Sequence, residues 1–355
     1  VLNFKYVHIY ADCMPTNPDF LPPERPYIVA EIGGNHGGDV EQALEYATAA
    51  AEAGADAAKF QLYQAEHLIV EDEPPLPLAG DDYDTQFERF KELELTRDEW
   101  QEVIDHCGAE GIDFAASVFD EQMLEFAVDH ISFVKIASGD LTNLPLLREA
   151  AATGLPLVLS TGFSTMDEIE TVVEELSGTE LVLLHCMGSY PTESRDANLS
   201  MVETLSAEFD CPVGYSDHTV DTFAPITSAA MGAHFIEKHF TLDKSREIGD
   251  HRLSATPEEM AEIVSESARA FQMRGAPRGS DIYGCEGNIR ENMRRSLATT
   301  RFLEEGQELA GSDLTALRPA TGISPLHYED VLGSVLQRDV DGNTVLTRAD
   351  IQSTL

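Results

Sequence analysis

Short apolar runs recur along the chain from Tyr27 to about Phe271, each followed by a longer stretch whose apolar residues return at helical spacing. The runs are YIVAEI (27–32), AAKFQ (57–61), DFAAS (113–117), FVKIAS (133–138), PLVLST (156–161), LVLLHC (181–186), PVGYSD (212–217) and HFIEKHF (234–240). Near-continuous apolar character over so few residues predicts strands buried on both faces. Between them lie amphipathic segments such as VEQALEYATAAAEAG, DEWQEVIDHCGAEG, LPLLREAAATG and MDEIETVVEELSG. Several close on Gly just before the next strand, a helix C-terminal signal.

Eight strand–helix units fit a closed (β/α)8 barrel of TIM type, whose usual size is about 250 residues. An open, doubly wound sheet is the main alternative. No G-x-G-x-x-G follows the first strand, and eight regular units favour closure. The pattern predicts a lead-in over residues 1–25, rich in proline, and the barrel over 26–271. A Gly-, Pro- and Arg-containing linker is expected over 272–290 and a small β-rich module over 291–355, with two short strands around a turn in its first half. One long interruption, residues 64–96, follows the second strand and is expected as a loop over the strands' C-terminal ends, where barrel enzymes carry their sites.

Composition narrows the class. Hydrophobic residues make up 43% of the 355, and mean hydropathy is −0.19, as in an ordinary globular core. No apolar run reaches the roughly 18 residues of a membrane helix, and the N-terminal stretch lacks the layout of a signal peptide. The five cysteines are scattered with no Cys-x-x-Cys pair. That argues against a disulfide framework or structural zinc and suggests a cytoplasmic protein. Asp and Glu total 64 against 23 Lys and Arg, a net charge of −41 spread along the whole length. Such a surface suits a halophilic source, and a basic partner would instead call for one acidic block. Nothing resembles a nucleic-acid footprint.

The chemistry sits at the strand ends. Barrel interiors are usually filled by branched apolar side chains, but here polar residues close nearly every strand: Glu31; Lys59 and Gln61; Ser117; Lys135 and Ser138; Ser160; His185; Ser216, Asp217 and His218; Glu237, Lys238 and His239. A single strand-end Ser or His such as His185 is ordinarily structural. The lysines differ, since three of only six in the chain stand at strand ends. A buried ammonium needs an anion, so Lys59 and Lys135, with the serines as donors, are expected to face a phosphate or carboxylate, structural ion pairs being the rival. His218 and His239 end adjacent strands, and two imidazoles with open positions can hold a divalent ion.

At these residues the chain resembles the sialic acid synthase family (N-acetylneuraminate, legionaminate and pseudaminate synthases). The matching segments are AEIGGNHGG (30–38), AAKFQ, VKIASGD (134–140), LSTG (159–162), LLHCMGSYPT (183–192), YSDHT (215–219), EKHFTLD (237–243) and RPATGI (318–323), in family order. The C-terminal module resembles the antifreeze-like (SAF) domain that accompanies this barrel.

The resemblance implies condensation of phosphoenolpyruvate with an open-chain N-acetylated hexosamine and water, giving a nine-carbon 2-keto sugar acid and phosphate. The acceptor would be N-acetylmannosamine or a related sugar, or a 6-deoxy diacetamido hexose leading to legionaminate or pseudaminate. It further implies that His218 and His239 hold a divalent metal, Mn²⁺ with Mg²⁺ or Co²⁺ as alternatives. Lys59, Ser117, Lys135, Ser138, Ser160 and Ser216 would cradle phosphoenolpyruvate, with Gln61 and Tyr190 alongside. Glu31 would act as acid or base, Asp250 would contact sugar hydroxyls, and Arg318 would reach the other barrel of a domain-swapped homodimer. Gly188, Asp140 and Ala320 depart from the family's usual residues and leave the sugar open. Other classes are a Schiff-base aldolase using Lys135 or Lys59, and a carbohydrate-binding barrel without chemistry.

Overall fold

The computed structural model describes residues 18–75, 83–246, 249–275 and 279–352. Most of the expected lead-in, residues 1–17, and residues 76–82 of the long loop lie outside the described residues. The chain divides into two units, residues 1–275 and 276–355.

In the first unit eight parallel strands close into a barrel in sequence order. They are β1 (Tyr27–Gly33), β2 (Ala57–Leu62), β3 (Asp113–Val118), β4 (Val134–Ile136), β5 (Leu157–Ser160), β6 (Leu181–Cys186), β7 (Val213–Asp217) and β8 (Phe235–His239). Closure comes from the β1–β8 pairing, which sets Glu31 beside His239, while the β1–β2 pairing sets Glu31 beside Lys59. The helices form where the apolar periodicity placed them. Thr96, Thr165 and Thr256 each open a helix with a reciprocal capping box to Glu99, Glu168 and Glu259. Gly111 closes one in the left-handed region at φ 73°, where a Cβ would be strained.

Residues at the N-terminal starts of the strands close the barrel floor. Phe20 stacks on Phe133 at 4.8 Å and meets Tyr27 edge-on at 5.3 Å, so the end of the lead-in packs as core. The loop after β2 is not structureless: it carries helices Ala65–Leu68 and Gln86–Leu93. The last barrel helix, Pro257–Arg274, runs into the stretch expected as a linker, and a further helix covers Gly287–Met293. Gly275, at φ 58°, ends the first of these helices, and Pro277 lies outside the described residues.

The second unit has its own core, from Leu297 and Leu303 to Leu346 and Ile351. β9 (Ser296–Thr299) pairs antiparallel with β10 (Leu314–Leu317), and β11 (Val335–Leu336) with β12 (Ile351–Gln352). These are two copies of one motif, offset by 37 residues: Arg301, Leu303, Gly306, Leu309, Asp313 and Leu314 correspond to Arg338, Val340, Asn343, Leu346, Asp350 and Ile351. Asp313 caps Ala310 N at 3.1 Å and pairs with Arg301 at 2.7 Å, while Asp350 caps Thr347 N at 2.7 Å and pairs with Arg338 at 2.6 Å. Gly306 and Asn343 both turn at positive φ. Leu303 and Val340 exchange reciprocal backbone bonds of 2.9 Å, on the axis relating the copies.

Candidate active site

Twelve of the sequence-predicted residues line one cavity of about 1210 Å³ at the C-terminal ends of the strands: Glu31, Lys59, Gln61, Ser117, Lys135, Ser138, Ser160, Tyr190, Ser216, His218, His239 and Asp250. Strand alternation accounts for pairs such as Lys59 and Gln61, because residues two apart on one strand enter the same interior, while Tyr190 and Asp250 come from loops. Arg318 lies in the C-terminal unit, exposed, directly after β10.

The floor of the cavity is a cluster of buried charges. Lys59 Nζ stands 2.5 Å from Glu31 Oε2 and 3.5 Å from Glu237 Oε2, and donates to Ser117 Oγ at 3.0 Å. Lys135 Nζ donates to Ser160 Oγ at 2.7 Å and lies 4.0 Å from Glu237 Oε2. Ser216 Oγ donates to Glu237 Oε1 at 3.0 Å, and Gln61 Nε2 to Glu31 Oε1 at 3.4 Å. Ser138 Oγ accepts from Gly162 N at 3.1 Å.

Two carboxylates therefore share two ammonium groups, and their proton affinities separate. Burial pushes Glu31 up to about 7, with Lys59 opposing and Glu237 reinforcing. Burial would raise Glu237 as well, but Lys135 and Lys59 together hold it at about 2. Lys59 is pulled down by burial and lifted more by Glu237 and Glu31, so it stays an ammonium. That is the wrong state for an imine-forming nucleophile. Lys135 is lowered, chiefly by burial.

Glu237 closes β8 in the sequence, yet its part in this cluster was missed. Only the β7–β8 register, with Ser216 opposite Glu237, brings it between the lysines. Asn35 and His251 line the cavity too. Asn35 holds the β8 loop by donating to Phe240 O at 2.9 Å, and a Gly-rich loop gave no sign of that.

Above the charges stand the imidazoles. The His218 and His239 rings are 5.3 Å apart, and Tyr190 lies 4.0 Å from His218 and 6.1 Å from His239. His218 Nδ1 is 2.7 Å from Met187 O. The tautomer that makes this bond carries its proton on Nδ1 and leaves the Nε2 lone pair available. Burial lowers His218, but Cys186 and Met187 outweigh it and the net shift is upward. His239 is held well below the usual range by burial and then by His218, so it is neutral, as a metal ligand must be. Its buried Nδ1 has no hydrogen-bond partner among the described residues and lies 3.8 Å from Asp250 Oδ2. The same residues hold no group of three or more His, Cys, Asp or Glu at metal spacing. Two nitrogens are available to an ion, and the rest of its shell would be water and substrate oxygen.

A closed β/α barrel whose strand ends converge on buried lysines, carboxylates and imidazoles defines a barrel enzyme. The chain belongs to the NeuB family, whose model matches residues 46–278, and a SAF domain follows over 294–352. It is 37% identical over 340 residues to N,N'-diacetyllegionaminic acid synthase of Legionella pneumophila, covering 92% of this chain and 95% of that protein. It is 31% identical to N-acetylneuraminate-9-phosphate synthase of Drosophila melanogaster, covering 88% and 92%. The crystal structure of N-acetylneuraminic acid (sialic acid) synthetase from Leptospira borgpetersenii in complex with citrate matches at TM-score 0.68 and 34% identity, over 76% of this chain and 91% of that one.

Proposed function

We propose that the protein condenses phosphoenolpyruvate with an N-acetylated aldose and water, giving a nine-carbon 2-keto sugar acid and phosphate. The observation that carries the reading is the paired buried lysines, Lys59 and Lys135, each bonded to a serine hydroxyl at the bottom of a deep cavity. Such a cradle suits a small, multiply charged anion. Phosphoenolpyruvate would take its phosphate and carboxylate to the lysines and serines, loosening their bonds to Glu31 and Glu237. An added anion raises the proton affinity of Glu31 further, so Glu31 enters the reaction as a carboxylic acid able to donate toward the aldehyde oxygen. Tyr190 and Asp250 flank the imidazoles on the side where the aldose would stand.

His218 and His239 would hold a divalent ion, Mn²⁺ by preference. Bound there, it would act as a Lewis acid on the aldehyde oxygen. The acceptor is either N-acetylmannosamine or a 6-deoxy diacetamido hexose, since proteins named for N-acetylneuraminic acid and for N,N'-diacetyllegionaminic acid both align over most of the chain. Phosphate release from phosphoenolpyruvate against a panel of N-acetylated aldoses, with and without Mn²⁺, tests the reading. Release that needs no aldose, or none with any aldose, would overturn it.

A further inference from the structure

We infer that the buried Lys238–Asp217 ion pair positions His218 and His239 for the divalent ion, an inference that rests on the metal reading above. In the β7–β8 ladder Ser216 lies opposite Glu237 and Asp217 opposite Lys238. Alternation sends Ser216 and Glu237 into the barrel, where they bond to each other, and turns Asp217 and Lys238 outward toward the helices. The residue after each in the chain is one of the two histidines, His218 just past β7 and His239 at the end of β8. The ion pair is therefore the last cross-strand contact before both imidazoles.

Its bonds reach to both sides of His218. Lys238 Nζ donates to Asp217 Oδ2 at 2.6 Å and also to Thr219 O, the carbonyl just beyond His218. Asp217 Oδ1 accepts from Tyr215 OH at 2.8 Å and from Thr219 N at 3.0 Å, and Oδ2 accepts from Thr219 Oγ1 at 2.9 Å. Every bond to the carboxylate comes from β7, its turn or β8. Both residues are 1% exposed.

Stability alone is a poor account of this arrangement. A buried ion pair is often no more stabilising than apolar residues of the same shape. What it supplies is a fixed backbone path through residues 217–219, tied to β8. The imidazole of His218 is then set by its bond to Met187 O. Groups that orient metal ligands commonly carry about 10–100-fold in metal affinity.

The test is Mn²⁺ titration of the full chain, followed by the electron paramagnetic resonance signal of the free ion. Asp217→Asn combined with Lys238→Met removes both charges together, leaving none unpaired. The double variant is expected to keep the wild-type circular dichroism spectrum, to bind Mn²⁺ about 10–100-fold more weakly, and to change the line shape of the bound ion. Tyr215→Phe, which removes one donor to Asp217, is expected to show a smaller loss in the same direction. A folded double variant with wild-type Mn²⁺ affinity would overturn the inference, since a purely structural pair would lower the melting temperature without moving that affinity. If the double variant does not fold, Tyr215→Phe decides, and wild-type affinity there overturns it. Wild-type protein that binds no Mn²⁺, or His218→Ala that binds it equally well, would instead sink the metal reading itself.

Discussion

Lys59 Nζ lies 2.5 Å from Glu31 Oε2 with both side chains buried, yet the pair leaves Glu31 only partly ionised at neutral pH. Lys59 also serves Glu237, which takes the larger share of the positive charge.

That sharing makes stability depend on pH. Burial raises Glu31 from 4.5 to about 7, so between those values the folded protein keeps a proton that the unfolded chain has released. The contribution of Glu31 is full below the unfolded pKa and is lost as pH rises through about 7. The loss amounts to about 3 kcal/mol. Glu31→Gln, which cannot ionise, should therefore melt higher than wild type at pH 8 and show less advantage at pH 5, while losing activity. An equal melting-temperature difference at both pH values would contradict this assignment.

The metal reading predicts that chelation abolishes activity and that Mn²⁺ restores it. His218→Ala and His239→Ala should each lower kcat by at least 100-fold, about 2.7 kcal/mol, while leaving the circular dichroism spectrum unchanged. Full turnover by metal-stripped wild-type protein would rule out the metal's part in the reaction.

A net charge of −41 should loosen the protein and repel an anionic substrate at low ionic strength. Charges are screened within about 10 Å at 0.1 M salt but within about 3 Å at 1 M. Melting temperature and phosphate release are expected to rise together from 0.1 M to molar KCl. A flat response in both would remove the halophilic reading.

Arg318 is exposed in a chain poor in cations, and the family resemblance gives it a place across a homodimer. Arg318→Ala should raise the KM for the aldose far more than that for phosphoenolpyruvate. Co-assembled Arg318→Ala and His218→Ala chains should recover part of the activity, because one site per pair regains both groups. Verified heterodimers with no recovery would place Arg318 outside the partner's site.

The sequence showed most of the barrel, because strands buried on both faces leave short apolar runs and the site residues stand where those runs end. Glu31, Lys59 and His239 could be read that way one at a time. The placing of Glu31 beside His239 could not, since it depends on the register in which β1 closes against β8. Lys238 shows the same limit: it stands among the strand-end lysines in the sequence, but alternation turns it away from the cavity toward Asp217. The repeat in the second unit is faint in the sequence. Its two copies agree chiefly at caps, turns and core positions, and Gly306 matches Asn343 by backbone conformation rather than by residue type.

The two copies in the second unit are interleaved rather than side by side. Leu309 N bonds to Ser334 O and Leu346 N to Leu297 O, each at 2.9 and 2.8 Å respectively, so the main chain of each half is completed by the other. A chain cut between Asp313 and Arg338 would leave both pieces with open ladders and half a core. Neither half completes its own backbone bonding, so the unit is expected to melt in one concerted step.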